Sequence, residues 1–116
     1  MKSNIVHSAV LSLSLAVAAI SFSSGALAFD EEAAKKLAKK NDCTKCHAVD
    51  KDKKGPSYKK ISAKYKGKAD GEEKAIKNMT TATKVKLSDG TEEEHKIIDT
   101  KDPKELKNLA QWILAQ

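Results

Sequence analysis

The sequence predicts an all-α domain of about four helices, on three observations. Four segments carry apolar residues at helical spacing, and each is bounded by Asp, Gly or Pro where a helix would start or stop. The remaining stretch, 80–100, has no sustained period-two alternation, so no strand-rich region is expected. Aromatic residues make up only 4% of the 116 residues. A chain this short and this poor in large side chains needs further apolar mass to complete a core.

The chain opens with one positive charge, Lys2, then a predominantly apolar run, 5–22, then the small-x-small triplet Ala26-Leu27-Ala28. This is the pattern of a secretory leader. Serines interrupt the run and an acidic, lysine-rich stretch follows at once, which argues against a membrane span. Cleavage after Ala28 would leave one exported domain, 29–116, with no stable membrane insertion.

Asp30 is placed to cap a first helix with Ala33, Ala34, Leu37 and Ala38 on its apolar face, ending near Asn41. Directly after it comes Cys43-Thr44-Lys45-Cys46-His47. Two cysteines two residues apart, followed at once by histidine, form the attachment signature of a c-type haem. Each thiol adds to one haem vinyl group, and the adjoining His47 supplies the proximal ligand to iron. A redox disulfide or half a zinc site would use the same residues. Zinc, however, needs two more ligands, and after the leader the chain has no third cysteine and only one other histidine, His95. A dithiol redox motif expects a βαβ context, which is absent. Covalent haem attachment occurs outside the bacterial inner membrane, so motif and leader support each other and imply a periplasmic protein.

Gly55-Pro56 interrupts the chain, and Tyr58, Ile61 and Tyr65 then follow at helical spacing until Gly67. Asp70 with Glu73 reads as a capping box for a third helix through Ala75 and Ile76 towards Met79. The stretch 80–100 reads as a long loop with a short hairpin about Ser88-Asp89-Gly90. Asp102-Pro103-Lys104-Glu105 opens a last helix with an N-cap, a first-position proline and a capping-box glutamate. Leu106, Leu109, Ala110 and Ile113 line one face of it, with Trp112 beside them.

The haem motif after a first helix, Gly55-Pro56, and the closing Leu109-Ala110-Gln111-Trp112-Ile113-Leu114 together resemble a short bacterial class I cytochrome c. The resemblance covers nearly all of 29–116. It implies that the first and last helices cross beside one covalent haem c, with Ala34, Leu37, Ala38, Leu109 and Trp112 at the contact. It further implies that the Pro56 carbonyl accepts a hydrogen bond from the non-ligating nitrogen of His47, and that Tyr58 and Tyr65 pack near the porphyrin.

The departure from the family concerns the sixth ligand. Family members usually supply a methionine from the loop before the last helix, and this chain has none there. Met79 lies 32 residues after His47, at the end of the third helix, whereas His95 lies 48 residues after His47, where that methionine would sit. Imidazole binds iron well in either oxidation state. The expected ligands are therefore His47 and His95, with Met79 or an open position as the alternatives.

The full chain carries a formal charge of +6, with no arginine. Lysines crowd the stretch after the haem motif at Lys51, Lys53, Lys54, Lys59, Lys60, Lys64, Lys66 and Lys68. They form either a solvated face or a docking surface for acidic redox partners. Interspersed acids, export and the lack of an aromatic platform exclude nucleic acid as a partner. No pair of acid/base groups stands out for catalysis. The expected function is single-electron transfer by a monomer, at a potential lowered by bis-histidine ligation. A gas-binding or redox-sensing protein whose distal histidine leaves reduced iron, or a cytochrome subunit of a larger oxidoreductase, is the alternative.

Overall fold

The structure, a computed structural model, describes residues 29–116; the expected leader lies outside the described residues. In chain order the elements are α1 (Glu31–Lys40), α2 (Cys43–Cys46), α3 (Tyr58–Tyr65), α4 (Gly71–Thr80), β1 (Lys84–Lys86), β2 (Glu92–Glu94) and α5 (Pro103–Leu114). The four expected helices and the expected short hairpin are present, and one further feature joins them, a one-turn helix at the haem motif.

α1 starts where Asp30 accepts from the Ala33 N–H at 3.0 Å, with Glu31 and Glu32 in its first turn and Lys39 and Lys40 in its last. Both charge placements complement the helix dipole. α3 starts at Ser57, whose hydroxyl accepts from the Lys60 N–H at 3.2 Å. The capping box expected at Asp70 does not form. Asp70 sits at φ −103°, ψ 11° with no capping bond, and its carboxylate pairs instead with Lys74 at 2.7 Å, one turn along. Gly71 sets where α4 begins, because a Cβ there would lie 2.2 Å from the Tyr65 carbonyl oxygen. At α5 the Asp102 carboxylate caps the Lys104 N–H at 2.9 Å. Glu105 does not reach back to the Asp102 N–H. It accepts from the Thr100 hydroxyl, whose oxygen in turn accepts from that N–H at 3.1 Å.

The hairpin expected about Ser88-Asp89-Gly90 forms within the loop as β1 against β2, antiparallel, with Lys84 opposite Glu94 and Lys86 opposite Glu92. Opposite charges facing across the ladder favour this register. The turn is closed by Asp89, which accepts from the Thr91 N–H at 2.9 Å, and by Gly90 at φ 86°.

α5 is the centre of the packing, with α1, α3 and α4 all against it. Ala34 and Ala38 of α1 and Leu109 and Ala110 of α5 are at most 1% exposed, so small side chains let the first and last helices approach closely. Asn108 fastens that crossing by accepting from the Asp30 N–H at 2.6 Å and donating to the Asp30 carbonyl at 2.8 Å. Leu37, expected at the contact, is only partly buried at its edge. Among the described residues no helix is long and apolar enough to cross a membrane.

Candidate haem site

The motif cysteines lie at the two ends of α2, and both thiols are free and half-buried. The chain enters this turn through Asp42 at φ 58°, a left-handed conformation that Asp tolerates better than most L residues. His47 closes the turn, its N–H donating to the Cys43 carbonyl at 2.9 Å, and then runs on in extended conformation. The loop 47–57 wraps back under it. Gly55 N–H donates to the Cys46 carbonyl at 2.9 Å and Tyr58 N–H to the Ala48 carbonyl at 2.8 Å.

This wrapping brings the Pro56 carbonyl 2.6 Å from His47 Nδ1, the pair that the family resemblance implies. Gly55 leaves room for it: a Cβ there would meet His47 Cε1 at 2.8 Å and Nδ1 at 3.1 Å. Tyr58 stacks on the His47 ring, centroids 5.5 Å apart at 24°, and Trp112 of α5 meets Tyr58 edge-on at 5.1 Å. The last helix thus supports His47 through two aromatic rings. Tyr65 lies farther out, where its hydroxyl accepts from Asn78 at 2.9 Å on the surface.

On the other side of His47 stands His95, with ring centroids 6.2 Å apart and planes at 46°. His95 directly follows β2, and its N–H donates to the Thr83 carbonyl at 2.8 Å. Burial, aided by His47, lowers its pKa below the ordinary histidine value. The neutral imidazole, the form that binds metals, is thereby favoured. Met79 occupies the core at the end of α4, 8% exposed, and its carbonyl accepts from the Ile98 N–H at 2.9 Å.

The residues fit a large apolar group bearing a metal. Two buried polar atoms, Tyr58 Oη and His95 Nδ1, have no hydrogen-bond partner among the described residues, and such orphans in a native core mark a partner still to be supplied. Burial also pushes the Tyr58 phenol pKa up. Beside His47 an open cleft of about 380 Å³ is walled by Ala38, Val49, Tyr58 and Trp112 together with Lys35, Lys39, Thr44 and Lys53, and His95 does not line it. A larger cleft of about 590 Å³, between α1 and the start of α5, holds none of the expected ligands.

The cytochrome c family model matches residues 31–116. The chain belongs to the cytochrome c family. It is 37% identical to cytochrome c-551 of Azotobacter vinelandii over 86 residues, 72% of this chain and 96% of that protein. The class 1 cytochrome MtoD of Sideroxydans lithotrophicus ES-1 superposes with a TM-score of 0.72 at 56% identity, over 76% of this chain and 97% of that one. Cytochrome c552 of Nitrosomonas europaea superposes with a TM-score of 0.54 at 31% identity, over 69% and 95%. As a monohaem class I cytochrome c, the protein carries one covalent haem c and is an electron carrier that exchanges electrons with redox partners, not an enzyme.

Part of the lysine run is engaged at home. Lys59 pairs with Asp50 and Lys60 with Asp52, while Lys53 donates to the Thr44 carbonyl. Of the two residues before Cys43, sequence reasoning gave Asn41 no role beyond ending the first helix and passed over Asp42. Asn41 is 5% exposed, and Asp42 is held between Lys45 and Lys96. The only signal in the sequence was a polar pair sitting between a helix end and the haem motif.

Proposed function

We propose that the protein is a periplasmic single-electron carrier with His47 and His95 as the two axial ligands of its haem iron. The observation that carries this reading is the 6.2 Å between the two ring centroids. A ring bound through nitrogen at about 2.0–2.1 Å has its centre about 3.1–3.2 Å from the metal, so two rings across one metal stand about 6.3 Å apart. The neutral state favoured for His95 and the polarised His47 Nδ1 agree with it. Bound haem supplies the one-electron couple. Replacing a thioether by a second imidazole lowers its potential relative to His/Met proteins.

In this reading Cys43 and Cys46 hold the porphyrin covalently, Pro56 fixes the His47 ring and raises its basicity, and Tyr58 backs that ring. Lys51, Lys54, Lys64, Lys66 and Lys68 have no carboxylate within ion-pair distance among the described residues. They remain available to steer acidic partners. A monomer is supported by the surface, where Ile97 is the one large apolar side chain exposed among the described residues. The leader pattern supports export.

Substitution tests the ligand pair. His95→Ala is expected to give a high-spin haem open to added ligands, and Met79→Leu to leave the low-spin spectrum unchanged. The opposite pattern would transfer the sixth position to Met79.

A further inference from the structure

Three consecutive residues before Cys43 each hold part of the segment after His95. Lys96 Nζ lies 2.5 Å from Asp42 Oδ2, Asn41 Oδ1 accepts from the Asp99 N–H at 2.9 Å, and Lys40 reaches the Asp99 carboxylate at 3.1 Å. Between these anchors Ile98 is buried, 5% exposed. Asn41 is used at both ends of its amide, for its Nδ2 donates to the Leu37 carbonyl at 3.0 Å. Ending α1 does not require this, since the Asn41 backbone N–H already closes the helix on Leu37.

The other side of His95 offers less hold. β1 and β2 are short, charged and almost wholly exposed, a two-stranded hairpin alone is marginal in water, and its turn is tied to the loop after the haem motif by one backbone bond, from the Ser88 N–H to the Lys54 carbonyl at 3.1 Å. The strap 96–99 is therefore the stiffer of the two attachments of His95. It is fixed to the residue that adjoins the covalent attachment point at Cys43.

We propose that Asn41 and Asp42 are positioning residues for His95, fixing the strap so that they set how readily His95 leaves the iron and how fast it returns. The proposal rests on the reading of His95 as sixth ligand. Asn41 carries more of the effect than Asp42. Asn41 is buried and its hydrogen bonds are partly shielded from water, whereas the Asp42 and Lys96 side chains are 40% and 62% exposed and their attraction is screened.

The test uses the ferrous holoprotein with carbon monoxide as probe, which takes the position His95 leaves without electron transfer. Asn41→Ala is expected to speed carbon monoxide binding by about tenfold and Asp42→Asn by about two- to threefold. Added salt should bring the wild-type rate to that of Asp42→Asn. In a double-mutant cycle, Asp42→Asn with Lys96→Gln should be no faster than Asp42→Asn alone. In a His95→Ala background, Asn41→Ala should leave the rate unchanged, a silence that a general loosening of the fold would not produce. Should Asn41→Ala not fold, the exposed Asp42→Asn variant and the salt series decide. Rates unmoved by either variant, with His95→Ala high-spin, would overturn the positioning role alone. A low-spin His95→Ala would overturn the ligand reading instead.

Discussion

Gly55→Ala perturbs His47, the proposed proximal ligand, without replacing any residue assigned to the haem. The new Cβ would stand 2.8 Å from His47 Cε1, whereas ordinary van der Waals contact begins at 3.4 Å. The backbone at Gly55 cannot readily yield, because its N–H is bound to Cys46 at 2.9 Å and its carbonyl accepts from Lys53 at 3.0 Å. The ring must therefore retreat by about 0.6 Å, which stretches the 2.6 Å contact with Pro56 to about 3.2 Å, the edge of useful hydrogen bonding. The net worth of such a bond is about 0.5–1.5 kcal/mol. If that is lost mainly from the oxidised state, which the more basic imidazole favours, the midpoint potential rises by about 20–65 mV. A spectroscopic redox titration of the variant beside wild type measures it. A midpoint within about 10 mV of wild type, with unchanged thermal stability, would refute the reasoning that Gly55 makes room for the His47–Pro56 bond.

Two more outcomes are expected. Replacing Lys51 and Lys54 by glutamine should slow electron exchange with an acidic redox protein severalfold and flatten its salt dependence, by stopped-flow measurement. The same change at Lys53 and Lys60, already engaged with Thr44 and Asp52, should do less. On acidification, Asp52, Asp70 and Asp99 should withdraw stability, because hydrogen bonds from Lys60, Lys74 and Lys40 respectively hold their carboxyl pKa values below the ordinary one. With folded values depressed, their contribution is fully present above the unfolded pKa of about 3.9 and is lost as pH falls through the lowered folded values. Denaturant titrations from pH 6 to pH 2 on the holoprotein would show it, and Asp99→Asn should shrink the acid limb.

The four long helices were legible because each has a cap or breaker and a periodic apolar face long enough to count. The turn at Cys43–Cys46 was not, since four residues carry no period and its entry depends on Asp42 taking a left-handed conformation. The hairpin was legible from its turn, Ser88-Asp89-Gly90, but its strand bounds were not: three residues each, Lys-Val-Lys and Glu-Glu-Glu, are charged and solvent-facing and show no buried alternation. At Asp70 a local rule lost to a neighbour, when Lys74 drew away the carboxylate that the capping box needed. The cysteine pair and His47 were readable from spacing alone. His95 was singled out by position, and its approach to His47 comes from the hairpin delivering it. The Asn41 and Asp42 contacts join residues more than fifty apart, and nothing in the local pattern announces such a pairing.

The central claim is that one iron is shared by His47 and His95. The measurement that tests it most directly is the near-infrared spectrum of the oxidised wild-type protein, taken with its electron paramagnetic resonance. The expected result is a low-spin iron without the weak near-infrared band of methionine-to-iron coordination. A clear band of that kind in the native protein would contradict it and move the sixth ligand to Met79.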